Sequence, residues 1–236
     1  APTETFRILK SQFFVFIPTS TNFTEQFPFE GDLIVLRTTT DGTSTLTTDN
    51  QSTTWVWDHN VGGEPRVQHA QPASHPDYGY SLTMRTHGVQ SNDSFFLLDV
   101  IGAAPSNVVG ATASTTGTVP ASVGTTEVVQ SGLITPQAQN SLIVTHTSIG
   151  HGPLTDMHSP SPTDVIFECS LYPEETDFDT LMNADAYALY FNGASLSAIS
   201  FAYRWNVNPG GAPAWIVGTD GHTEGWQAVA VEYKSA

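Results

Sequence analysis

No apolar run in this chain outlasts a β-strand. One of the longest, Phe13-Phe14-Val15-Phe16-Ile17, stops at Pro18. Between such runs lie clusters of turn-forming residues, as in Thr38-Thr39-Thr40-Asp41-Gly42-Thr43-Ser44-Thr45. A chain punctuated this often has little room for helices of ordinary length. It predicts an all-β protein with helix below about 10% of residues, against roughly a third in globular proteins generally. The one helical candidate is short, around Asp177 to Ala184. A membrane-crossing helix needs about 18 consecutive apolar residues, so no membrane insertion is expected.

Strand signals recur along the whole sequence. Phe6 to Leu9 and Gln12 to Ile17 open it, and Asp32 to Arg37 follows Gly31. Thr53 to Trp57 and Tyr78 to Thr86 alternate as half-buried strands do. Ser94 to Ile101 is apolar at all but Ser94 and Asp99, which predicts cover on both faces. Ser141 to His146 and Asp164 to Leu171 follow. Ala186 to Phe191 leads into Asn192-Gly193, a hairpin signal. Ser197 to Trp205, Pro213 to Val217 and Gly225 to Tyr233 complete a set of roughly a dozen strands, the pattern of a jelly-roll-like β-sandwich. Residues 102–132 contain no aromatic residue. They read as a long small-residue loop region with short edge strands around Val108 and Val128, inside one domain spanning 1–236.

Composition narrows the function classes. The chain has 23 Asp+Glu against 7 Lys+Arg, a formal net charge of -16. Such a charge repels phosphates, so neither nucleic acid nor an anionic membrane surface is an expected partner. Ser, Thr, Asn and Gln supply most of the polar surface. With 39% hydrophobic residues the chain has enough apolar material for a full core. The single cysteine, Cys169, excludes an internal disulfide and reads as a small buried hydrophobe in a strand. The sequence begins Ala-Pro-Thr-Glu-Thr, as a mature end left by signal cleavage would. Together these features predict a secreted or extracellular surface protein. Asn22, Asn50 and Asn92 each open an Asn-x-Ser/Thr sequon, relevant where the source glycosylates secreted proteins.

Three phrases carry a family resemblance: Gly31-Asp32-Leu33-Ile34-Val35, Phe96-Leu97-Leu98-Asp99-Val100-Ile101-Gly102-Ala103 and Trp226-Gln227-Ala228-Val229-Ala230-Val231. They resemble recurring strands of extracellular jelly-roll (concanavalin-like) β-sandwich domains of environmental bacterial surface and phage-associated proteins. The resemblance implies a fold and an extracellular setting, and it supplies no catalytic residue.

Four constellations are candidates for function. Glu174, Glu175, Asp177 and Asp179 bring oxygen ligands close together in sequence, as a structural calcium site would, though without the EF-hand pattern. Histidines 59, 69, 75, 146, 151 and 158 read as polar loop residues, with His146 the most strand-like; none has a zinc-motif spacing. Trp55 and Trp57 share a strand face, and with Tyr78 and Tyr80 they could form a platform on which sugar rings stack. The apolar segment with Phe6, Ile8, Phe13, Phe14, Val15, Phe16 and Ile17 must pair with something. It either joins its own sheet or is donated to a neighbouring subunit. No G-x-S-x-G, phosphate loop or dinucleotide fingerprint occurs. The expectation is a non-catalytic structural or adhesive subunit of a fibre, pilus or virion that self-associates. The alternative is a carbohydrate-binding module for a polysaccharide, and a hydrolase or metal enzyme ranks third.

Overall fold

A computed structural model describes residues 6–16, 22–38, 46–59, 66–73, 80–85, 93–119, 123–132, 134–138, 140–150, 168–172, 175–177, 186–192, 196–205, 212–220 and 224–236. Among them there is no helix, and the strand pairs with a defined register are antiparallel. Contacts divide the chain into two compact units, Ala1–Val109 with Tyr233–Ala236, and Gly110–Glu232.

The first unit contains a five-stranded sheet ordered β1-β8-β3-β6-β5. Its strands are β1 (Arg7–Phe16), β8 (Asp93–Ile101), β3 (Leu33–Thr38), β6 (Arg66–Ala70) and β5 (Trp55–His59). A three-stranded sheet, β2 (Asn22–Gln26), β7 (Ser81–Arg85) and β4 (Thr48–Asp49), runs in the order β2-β7-β4. Strand periodicity sends alternate residues to opposite faces. Ile34, Leu36, Trp55, Ala70, Phe95 and Leu97 from the larger sheet thus form one core with Phe27, Phe29, Tyr80, Leu82 and Met84. Each large apolar side chain buried there contributes about 1.5–3 kcal/mol. The opposite face is covered too, since Leu33, Val35, Val67, Phe96, Leu98 and Val100 are all buried. The apolar residues of β8, interrupted between Phe95 and Ile101 by Asp99 alone, reflect that double burial.

Two of the resemblance motifs have a structural explanation here. Asp99 accepts from the amides of Glu30 and Gly31 at 3.1 and 2.8 Å. Asp32 in turn accepts from the amides of Gly102 and Ala103, both at 3.0 Å. The pair of carboxylates clasps the turn before β3 to the end of β8. A Cβ on Gly31 would lie 2.1 Å from the Val100 carbonyl oxygen and 2.4 Å from Asp99 Oδ1, so only glycine lets the two chains approach. Gly102, at φ 84°, needs the left-handed region for the same junction.

The second unit holds a four-stranded sheet, β10-β16-β12-β13, and a five-stranded sheet, β14-β15-β11-β17-β9. Here β9 is Val109–Val119, β10 Val123–Gln130, β11 Ser141–Gly150, β12 Glu168–Tyr172, β13 Glu175–Asp177, β14 Ala186–Asn192, β15 Leu196–Trp205, β16 Ala212–Asp220 and β17 Glu224–Tyr233. The hairpin signal at Asn192 is matched by pairing of β14 with β15, Asn192 opposite Leu196. Glu232 is fully buried and accepts from the amides of Ala111, Gln137 and Ala138 and from the Ser141 hydroxyl. Gly110 leaves the space, because a Cβ there would strike the Glu232 carboxylate.

Two expectations change. The described residues form seventeen strands rather than about a dozen. Much of the 102–132 segment is strand, not loop: β9 and β10 run through it. Its Thr and Val residues favour extended backbone even without large apolar side chains. In β9 the even positions Thr112, Ser114, Thr116 and Thr118 are exposed, while the odd ones are half-buried. The short helix expected at Asp177 to Ala184 lies beyond Asp177 outside the described residues, and Asp177 itself ends β13.

Candidate functional site

The antiparallel ribbon of β5 and β6 concentrates polar chemistry in the first unit. Trp55, Val56 and Trp57 face Ala70, His69 and Gln68, and the register then shifts so that His59 meets Val67. Asp58 is the extra residue at this bulge. A bulge bends the strand locally and re-aims a side chain. The Asp58 side chain is 1% exposed. Its Oδ1 lies 2.6 Å from His69 Nδ1, and its Oδ2 accepts from the Tyr233 hydroxyl at 2.5 Å.

This arrangement orients an imidazole. Nδ1 donates to the carboxylate, so Nε2 is the acceptor of the neutral ring. The His69 ring also meets the Tyr233 ring edge-on, with centroids 6.1 Å apart. Burial, then the charge and hydrogen bond of Asp58, push the Tyr233 phenol well above its ordinary pKa. It therefore remains a donor across the physiological range. An Asp-held imidazole is one half of a nucleophile-activating pair. Among the described residues no hydroxyl or thiol is hydrogen-bonded to His69. The cluster fastens Tyr233 to β5 and β6.

The other face of β6 carries Arg66 and Gln68, two residues apart on the strand. Gln68 is 2% exposed, and its Oε1 accepts from the Thr47 amide at 2.9 Å. Arg66 is 8% exposed. Its Nε and Nη1 are buried and have no hydrogen-bond partner. Trp57, opposite Gln68 on the edge strand β5, is half-buried.

The expected stacking platform is largely inside the protein. Trp55 is 4% and Tyr80 1% exposed. Both donate to Asp49 Oδ2, the indole at 2.9 Å and the phenol at 2.8 Å. Asp49 Oδ1 accepts from the amides of Gln51 and Thr53. Burial raises the Asp49 pKa, but the hydrogen bonds from Thr53, Trp55 and Tyr80 outweigh it and leave the carboxyl below its usual value. Tyr80 is raised by burial and by its bond to Asp49. Trp55 and Trp57 do share a strand face, but that face packs into the core, so Trp55 and Tyr80 offer no surface to a sugar. Trp57 alone keeps partial exposure, and Tyr78 lies outside the described residues.

The remaining candidates are placed as follows. Of the proposed calcium ligands, Glu175 and Asp177 lie in β13, and Glu174 and Asp179 fall outside the described residues. His59, His69 and His146 sit in strands rather than loops, and His69 and His146 are buried. Burial lowers the His59 pKa. Histidines 75, 151 and 158 are outside the described residues. Among the described residues no group of three or more His, Cys, Asp or Glu is arranged to hold a metal. Phe6 is buried, and Ile8, Phe13, Phe14, Val15 and Phe16 belong to β1. That strand pairs with β8 of its own chain from Arg7↔Ile101 to Phe16↔Asp93. This is the internal pairing of the two alternatives, seen in a single chain; Ile17 lies outside the described residues.

Comparison with known protein families, with curated proteins and with solved structures finds no match to this chain.

Proposed function

We propose that this chain is a non-catalytic, extracellular structural or adhesive protein with a jelly-roll-like β-sandwich, and that it self-associates as a subunit of a surface fibre, pilus or virion. The observation that carries the reading is the position of β1. It is ten residues long, ends in Phe13-Phe14-Val15-Phe16 and is terminal in its sheet. One edge is satisfied by β8; the other has no partner strand among the described residues. An edge of this length and composition is a template for pairing with another chain. The hydrogen-bonded carboxylates support the non-catalytic part. Asp32, Asp49, Asp99 and Glu232 are each committed to two or more protein donors. None is left as one of a carboxylate pair facing substrate.

Light scattering and electron microscopy of the full chain over a wide concentration range test this. Discrete, growing assemblies are expected. A protein that stays monomeric at high concentration would overturn the reading. A second reading, binding of a polysaccharide, is favoured by the half-buried Trp57 on the edge strand β5.

A further inference from the structure

The edge of β1 is usable over only part of its length. Against β8 the register slips at Leu9, between Ile8↔Val100 and Lys10↔Asp99, and then runs unbroken from Lys10 to Phe16. A bulge and a lysine both discourage a further strand from adding to an edge. Here they stand together at Leu9 and Lys10. Pro18, which has no amide to donate, follows the other end. The length left for pairing is the segment Lys10–Phe16, whose outer edge meets no strand among the described residues.

The composition of that segment selects its partner. Ser11-Gln12-Phe13-Phe14-Val15-Phe16 is uncharged, holds no Pro or Gly and is rich in strand-forming residues. Stretches of about six residues with this composition pair with copies of themselves. Charge favours the same partner. Two copies of a chain with net charge -16 repel each other, so their contact belongs on a surface without acids. Strand β1 contains Arg7 and Lys10 and no acid, and Arg7 and Ser11 are exposed. The terminal strands β2, β4, β5, β10 and β13 each carry Asp or Glu. The terminal strands β9 and β14 lack acids, but neither carries a basic residue.

We infer that the outer edge of β1 receives β1 of a second copy, antiparallel, about a two-fold axis at Phe13. The inference rests on the reading that chains join along this edge, and it names the strand that joins there. With the axis at Phe13 every residue of the segment has a partner: Lys10 lies opposite Phe16, Ser11 opposite Val15 and Gln12 opposite Phe14. At about 3.4 Å per residue the two copies of Lys10 are then about 20 Å apart, well beyond the screening length of about 8 Å. Pairing centred on Lys10 would set like charges directly opposite each other, which is destabilising. A two-fold contact is self-complementary and closes after two copies. A fibre is then built from dimers that grow through a second surface.

The test is a distance. A nitroxide spin label on Ser11→Cys, in the full chain with Cys169→Ser, reports the separation of two copies in the assembled protein. Ser11 is exposed, so the label should leave the fold intact. Four residues along the strand and one strand spacing across it predict about 14 Å between the labelled positions. A head-to-tail contact instead repeats once per subunit, and the five-stranded sheet is itself about 24 Å wide. A distance of that size or longer in growing assemblies would overturn the two-fold pairing while leaving the edge reading standing. Chains that stay monomeric at high concentration, labelled and unlabelled, would overturn both. Should the label alone block assembly, cross-linking decides. Phe13→Cys lies opposite its own copy at about 4.5–5.5 Å, within disulfide range, and should oxidise to a covalent dimer, while Ser11→Cys should not. Equal cross-linking of both variants, or of neither, would overturn the two-fold pairing.

Discussion

Asp49→Asn isolates one buried junction. The carboxylate accepts four hydrogen bonds, from Gln51 N, Thr53 N, Trp55 Nε1 and Tyr80 OH. An amide presents one oxygen and one NH₂ group. If the oxygen keeps the two backbone amides, the NH₂ group faces the indole N–H and the phenol. Tyr80 can turn its hydroxyl to accept. Trp55 cannot, because an indole nitrogen only donates. At 4% exposure Trp55 has little water to bond with instead. An orphaned buried donor costs about 1–3 kcal/mol, and exchanging charged for neutral acceptors weakens each remaining bond by roughly 1 kcal/mol. The expected loss is at least about 3 kcal/mol. For a chain of this size that lowers the melting temperature by roughly 6–12 °C. Urea and thermal unfolding measure it. Adding Trp55→Phe should shrink the penalty of Asp49→Asn, since the orphaned donor is then gone. The pH dependence has a definite sign. The folded-state pKa of Asp49 lies below the unfolded value, so its stabilisation is present above the unfolded value, about 3.9, and is lost as pH falls through the folded one. The variant should lose that part of the acid limb. A stability change below about 0.5 kcal/mol, the size of an ordinary surface substitution, would refute the reasoning.

Gly31→Ala places a Cβ 2.1 Å from the Val100 carbonyl oxygen and should destabilise the first unit by about 3 kcal/mol or more, read from urea midpoints. Glu232→Gln gives up the charge that gathers Ala111, Gln137, Ala138 and Ser141; amide hydrogen exchange should speed up at Ala111, Gln137 and Ala138 while the first unit is unaffected. We propose that any ion stabilising this chain is Ca²⁺ held by oxygen ligands at Glu174, Glu175, Asp177 and Asp179; a melt lowered by EDTA should recover with Ca²⁺, and recovery with Zn²⁺ alone would contradict it. If residues 1–236 are one domain, as the sequence pattern suggests, near- and far-ultraviolet circular dichroism should report one coincident transition; two transitions would mean that the compact units fold separately.

How legible each part was depended on what the residues advertise. Strands β3, β8, β11 and β15 were readable because large apolar residues fill or alternate along them. The Gly31-Asp32 and Asp99 to Ala103 phrases stood out as motifs, and their cause is the reciprocal carboxylate clasp. Strand β6 was invisible. Arg66, Gln68 and His69 look like loop residues, and only their partners on β3 and β5 make the strand and bury it. Strand β9 has no bulky side chain, so its alternation shows only as exposure in the folded sheet. For Trp55 and Trp57 periodicity established a shared face but not which way it points. The Asp58–Tyr233 bond joins residues 175 positions apart, and no local pattern announces it.

The central claim is that chains join along the edge of β1 that no described strand pairs. In an antiparallel edge strand about half the amides point to the inner neighbour and half outward. Residue-resolved hydrogen exchange across Arg7–Phe16, in dilute monomer and in assembled protein, reads the two sets separately. The inward set should be protected in both states, and the outward set should become protected only on assembly. Assemblies that grow while the outward amides of β1 keep exchanging as in the monomer would contradict it.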